Sequence, residues 1–125
     1  MNLVDSSGWL EYFADGKNAN YFASAIEDTE HLIVSTINIY EVFKRILAQR
    51  DEQSALQAIA VMQQGQVIEL SSELSLHAAK ISHQYKIPMA DSMIYATARS
   101  LKALLWTQDI DFEGMEYVKY FSKKY

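Results

Sequence analysis

Acidic side chains are the residues of this sequence whose placement suggests chemistry. Asp5 follows the apolar pair Leu3-Val4. Glu41 stands shortly after Leu32-Ile33-Val34, Asp91 lies just past Pro88, and Asp109 and Asp111 come directly after the run ending at Thr107. Carboxylates gathered at one place repel one another and resist ionisation unless a cation compensates them. Hard oxygen donors of this kind select Mg²⁺ or Mn²⁺. One or two such ions on a phosphate can activate water and stabilise the leaving oxygen.

Competing chemistries are poorly supplied. The chain has no cysteine, which excludes disulfide scaffolds, thiolate zinc sites, iron–sulfur ligation and cysteine nucleophiles. His31, His77 and His83 lack metal spacing, and no Ser, His and Asp arrangement or Gly-rich phosphate loop is visible. The chain carries 11 basic and 16 acidic residues, a net charge of −5. That balance alone argues against non-specific coating of nucleic acid. Without the five acids named above, however, the remaining charges cancel. Lys44 and Arg45, one turn after Glu41, and Lys119, Lys123 and Lys124 near the end of the chain are then local groups of positive charge, which read by themselves as a solvated surface.

The elements that must position these acids follow from periodicity. Leu3-Val4 reads as a strand ending at Asp5, and residues 6–13 as a helix with Trp9, Leu10 and Phe13 on one face. Residues 20–28 form a second helix and 32–34 a buried strand. Ser35 or Thr36 caps a helix running to about residue 49, with Ile39, Tyr40, Phe43, Ile46 and Leu47 as its stripe. A helix over 53–63 is closed by Gly65. A strand over 67–70, a helix over 73–85 and, after Pro88, a helix over 89–102 follow. Residues 103–107 and 117–121 are the last strands.

Strands alternate with helices, and the strands are short and apolar without clean alternation, as when both sheet faces are covered. This predicts one α/β domain over residues 1–125: three layers, with a central, mainly parallel sheet of about five strands flanked by helices. Half the residues are hydrophobic, enough for a real core. The longest apolar run, residues 58–62, is far short of the ~20 residues of a membrane span. The opening Met-Asn-Leu-Val-Asp has no leader character, so a cytoplasmic location is the default expectation.

In such sheets ligands bind outside the carboxyl ends of the strands. Asp5, Asp109 and Asp111 fall at that edge, although Asp5 alone reads equally well as a helix cap and the other two as a polar turn. Asp91 shares a helix face with Ile94, Ala98 and Leu101, where a carboxylate needs a partner. Glu41 lies roughly opposite its helix's apolar stripe and earns its place only by standing near the start of a helix that leaves the sheet edge. Two helices separate successive strands, so Asp91 reaches the edge only if one helix of its pair runs crosswise.

The pattern as a whole resembles a PIN domain, in particular the VapC-like ribonuclease toxins of toxin–antitoxin pairs. The motifs are "VDSSGWLEYF" with Asp5, "STINIYEVFKRI" with Glu41, "PMADSMIYATA" with Asp91, and "WTQDIDF" with Thr107, Asp109 and Asp111. They cover essentially the whole chain, in order. Trp106 stands where a smaller aliphatic is more usual in the family. The resemblance implies Mg²⁺- or Mn²⁺-dependent endonucleolytic cleavage of RNA. Asp5, Glu41, Asp91 and Asp109 would be catalytic metal ligands, Asp111 a ligand or an orienting residue, Ser6 and Thr107 supports, and Lys44 and Arg45 RNA contacts. It also implies a homodimer and a VapB-like antitoxin whose tail enters the groove. A catalytically silent PIN-like module that binds RNA or protein is the alternative. A phosphatase is disfavoured by Ser7, where a second aspartate is expected, and a receiver-type domain by the absence of a convincing lysine after the last strands.

Overall fold

A computed structural model describes all 125 residues. Five strands form one sheet in the order β3-β2-β1-β4-β5: β1 (Asn2–Val4), β2 (Leu32–Ser35), β3 (Gln66–Ile68), β4 (Leu104–Thr107) and β5 (Val118–Tyr120). Every pairing is parallel. The helices are α1 (Ser6–Phe13), α2 (Ala19–Ile26), α3 (Thr36–Gln49), α4 (Glu52–Met62), α5 (Ser72–Tyr85) and α6 (Met89–Ser100). Two single 3-10 turns, Thr29–His31 and Ile110–Phe112, join them and lack any sequence periodicity to announce them. No helix is long and apolar enough to cross a membrane.

The sheet separates two cores, as the three-layer expectation requires. On one face Val4, Leu32, Val34 and Trp106 meet Trp9, Phe22, Val42, Ile46, Ile59 and Met62 from α1 to α4. On the other, Leu3, Ile33 and Leu105 meet Ala78, Ile81, Ile94 and Ala98 from α5 and α6. Side chains alternate faces along a strand, so Leu3, Ile33 and Leu105, which pair directly, make one apolar row. Two residues on, toward the carboxyl ends, the same face carries Asp5, Ser35 and Thr107, all buried. The core thus gives way to polar chemistry across three adjacent strands at once.

Strand order reverses between β1 and β4. The chain leaves β1 into α1 and α2 on one face, and reaches β4 from α5 and α6 on the other. A crevice at the carboxyl ends of β1 and β4 is the consequence. α6 lies on β2 and β4, whereas α5 packs chiefly against α6. That arrangement leaves the start of α6 at the carboxyl edge.

Two boundary expectations need correction. Gly65 does not close α4, which ends at Met62 with Gln63 as its cap. Gly65 is instead pressed against β2, where an added Cβ would stand 2.9 Å from Leu32 Cγ. Asp5 occupies the N-cap position of α1 but its side chain makes no cap hydrogen bond. Its carbonyl receives the Gly8 and Trp9 amides instead.

Candidate active site

Freed from capping, the Asp5 carboxylate takes two hydroxyl bonds on one oxygen. Ser7 Oγ and Thr107 Oγ1 donate to Oδ2 at 2.8 and 2.9 Å. Oδ1 has no protein donor. The Asp5 amide donates to the Trp106 carbonyl at 2.9 Å, so the β1–β4 ladder holds the residue in place. Thr107 Oγ1 in turn accepts from the Asp109 amide at 2.9 Å, and Asp109 Oδ1 accepts from the Asp111 amide at 3.0 Å. The polar-turn reading of Asp109 is therefore realised in the same residue that faces the crevice.

Glu41 is half-buried, and its Oε1 accepts from Ser6 Oγ at 2.8 Å. Ser6 Oγ accepts from the Nδ2 of fully buried Asn38 at 2.9 Å. Asn38 precedes Glu41 by one turn of α3 and fixes the direction of the serine proton, which points at the carboxylate. Asp91, in the first turn of α6, is 9% exposed. Carboxylate oxygens of Asp91, Asp109 and Asp111 lie within 4.8 Å of one another.

The electrostatics follow from burial and crowding. Burial pushes the Asp5 pKa up to about 6, against the Ser7 and Thr107 hydrogen bonds, with Asp109 and Glu41 adding to the rise. Burial, together with Asp109, Asp5 and Asp111, pushes Asp91 up to about 8. No Lys, Arg or His forms an ion pair with any of the five acids. The donor set is all hard oxygen, converging and uncompensated, and it fits a small divalent cation. Asp91, Asp109 and Asp111 bring carboxylate oxygens close enough to share one cation, and Asp5 and Glu41 line the same cleft.

Asp5, Ser6, Glu41, Asp91 and Asp109 line a cleft of about 720 Å³. Arg45 lines it too, whereas Lys44 is exposed and lies over the Tyr40 ring, 5.7 Å from the centroid. Ser7, Asn38 and Gln108 belong to the site and were not singled out from the sequence. Asn38 had a usable signal: a polar residue one turn before Glu41, on the same side of its helix. Ser7 and Gln108 are adjacent to named residues and carry no signal of their own. The three histidines are exposed and distant from this chemistry.

With this geometry established, comparison with known proteins is informative. The family model described as "PIN domain" matches residues 3–116. No curated protein sequence matches the chain significantly. Among solved structures, a toxin–antitoxin complex from Klebsiella pneumoniae is similar at TM-score 0.78 and 21% identity, covering 95% of this chain and 96% of that one. VapC20 of Mycobacterium tuberculosis, a Sarcin-Ricin loop cleaving toxin, is similar at TM-score 0.78 and 14% identity, covering 93% and 95%. VapBC2 of Rickettsia felis, bound to a DNA fragment from its promoter, matches at TM-score 0.76 and 11% identity over 97% and 98%.

Proposed function

The chain belongs to the PIN domain family, and we propose that it is a metal-dependent endoribonuclease acting as the toxin of a VapBC-type pair. One observation carries the catalytic part of the reading. Five carboxylates gather at the crevice between β1 and β4, and none of them is in an ion pair with a basic residue. A fold keeps such a charge imbalance, at the cost of raised pKa values, where a cation is to be bound. Bound there, Mg²⁺ or Mn²⁺ would supply polarisation of the scissile phosphate and a water of lowered pKa.

The chain's own residues do the rest. Asp5 offers Oδ1 inward because Ser7 and Thr107 hold Oδ2. Ser6 and Asn38 hold Glu41 toward the cleft. Arg45 supplies a cationic wall for RNA phosphates, and Lys44 adds charge outside the cleft. Similarity to the toxin–antitoxin complexes supports a VapB-like protein antitoxin as partner; a homodimer and a cytoplasmic location complete the proposal.

The test is RNA cleavage with Mg²⁺ or Mn²⁺, with and without EDTA. Cleavage abolished by EDTA and restored by excess metal is expected. Asp5→Asn is nearly isosteric and is expected to fold, to lose at least about a hundredfold in cleavage, as removal of several kcal/mol of cation-derived stabilisation implies, and to relieve growth arrest. Asp5→Asn protein that still cuts at the wild-type rate would sink the mechanism. A folded wild type that binds RNA but never cuts it would favour the silent-module alternative.

A further inference from the structure

Three lysines, Lys119, Lys123 and Lys124, fall on and after β5, and the structure gives them three different situations. The Lys119 ammonium lies over the Trp106 ring, 4.3 Å from its centroid. That of Lys124 lies 4.9 Å from the Tyr21 ring centroid and 3.2 Å from the Tyr21 hydroxyl. Lys123 alone faces the cleft, sharing its wall with Asp5, Asp91 and Asp109.

Its position has a topological cause. Because β5 is parallel to β4, the chain leaves β5 at the carboxyl edge, the edge that carries the acids. The Phe121 amide continues the ladder to the Thr107 carbonyl at 2.9 Å. Asn18, fully buried, then divides its Nδ2 between Gln108 Oε1 and the Ser122 carbonyl, both at 3.0 Å. Its own amide is held by Glu11 Oε2 at 2.8 Å. A buried side chain thus fastens the residue immediately before Lys123 to the loop that bears Asp109.

The other basic residues of the cleft, Arg45 and Arg50, come from α3 and its cap. We infer that Lys123 is a phosphate-binding residue of the active site, gripping an RNA phosphate next to the scissile one on the wall that carries Asp109, away from Arg45 and Arg50. The inference rests on the ribonuclease reading above. A polyanion laid over the acids then has cations on both flanks, and the lysine positions the strand without taking part in the chemistry.

A short labelled single-stranded RNA tests this, with binding followed in Mg²⁺ as a function of salt on the Asp5→Asn background, so that cleavage does not interfere. Lys123→Gln is expected to weaken binding by about three- to tenfold and to lower the salt-dependence slope by about one. Lys123→Arg should restore both, while Lys124→Gln and Lys119→Gln should leave them unchanged. In the cleavage-competent protein, Lys123→Gln should raise KM and leave kcat within about twofold. Unchanged affinity and slope for Lys123→Gln, or an equal loss for Lys124→Gln, would overturn the inference. Wild-type protein that fails to cut RNA while the Lys123 effect on binding persists would refute the catalytic reading and leave Lys123 as a phosphate contact of the cleft.

Discussion

Asp5 and Asp91 hold their protons more tightly than ordinary carboxylic acids, with pKa values raised to about 6 and about 8. Between the ordinary carboxyl range and these values, the folded state binds more protons than the unfolded one. Stability of the metal-free protein therefore falls as pH rises through that window. Asp91→Asn cannot lose a proton. In EDTA, urea midpoints should show this variant more stable than wild type at pH 8, with the gap closing near pH 4. Saturating Mn²⁺ should reverse the order at pH 8, because binding to the native state alone stabilises it. A variant no more stable than wild type at pH 8 without metal would show that Asp91 is not under the proposed stress. At this scale the sequence is half legible. Asp91 stood out because its helix neighbours Ile94 and Ala98 are apolar and buried. Glu41 did not, because helical periodicity assigns it to solvent, and the hydroxyl that engages it comes from Ser6, 35 positions away. Asn38 offered its spacing from Glu41 but not its partner, which lies on another element.

Helix and strand positions were far more legible than side-chain partners, since each rests on local pattern. Apolar runs at β1, β2 and β4 and caps such as Ser35, which accepts from the Ile37 amide, mark their own boundaries. The order in which helices stack is not local, and the placement that brings Asp91 to the edge comes from tertiary packing of α6 on the sheet and of α5 on α6. Packing also explains Gly8. It sits in α1 where an added Cβ would stand 2.6 Å from Phe22 Cδ1 and 2.7 Å from Val4 Cγ1, both residues fully buried. Gly8→Ala gains up to about 1 kcal/mol of helix propensity but overpacks a closed core, which costs about 1–3 kcal/mol. Thermal melts should show a net loss of stability. Because α1 begins with Ser6 and Ser7, RNA cleavage should fall further than stability does. A Gly8→Ala protein with raised stability and full activity would show that α1 can shift freely without disturbing the site.

At the scale of the whole molecule stands the proposed dimer, and large apolar side chains such as Tyr40, Leu56, Leu76, Met89 and Ile110 are exposed on several different elements. Light scattering at micromolar concentration is expected to give about twice 14.3 kDa. A monomer throughout that range would remove the dimer and leave the nuclease reading untouched. The division of the interior by the sheet has a spectroscopic consequence. Both tryptophans of the chain, Trp9 and Trp106, belong to the core shared with α1 to α4, and none lies beneath α5 and α6. Indole emission therefore watches only one side of the protein, while far-UV circular dichroism watches all six helices. If the domain unfolds cooperatively, as chains of this size usually do, the two signals trace one urea transition. Should the α5–α6 layer open first, dichroism would fall while emission stayed native, and the two probes would separate in time and in denaturant. The pair of indoles thus makes the wild-type chain, without any added label, a detector of whether Asp91 can leave the site before the rest of the fold gives way.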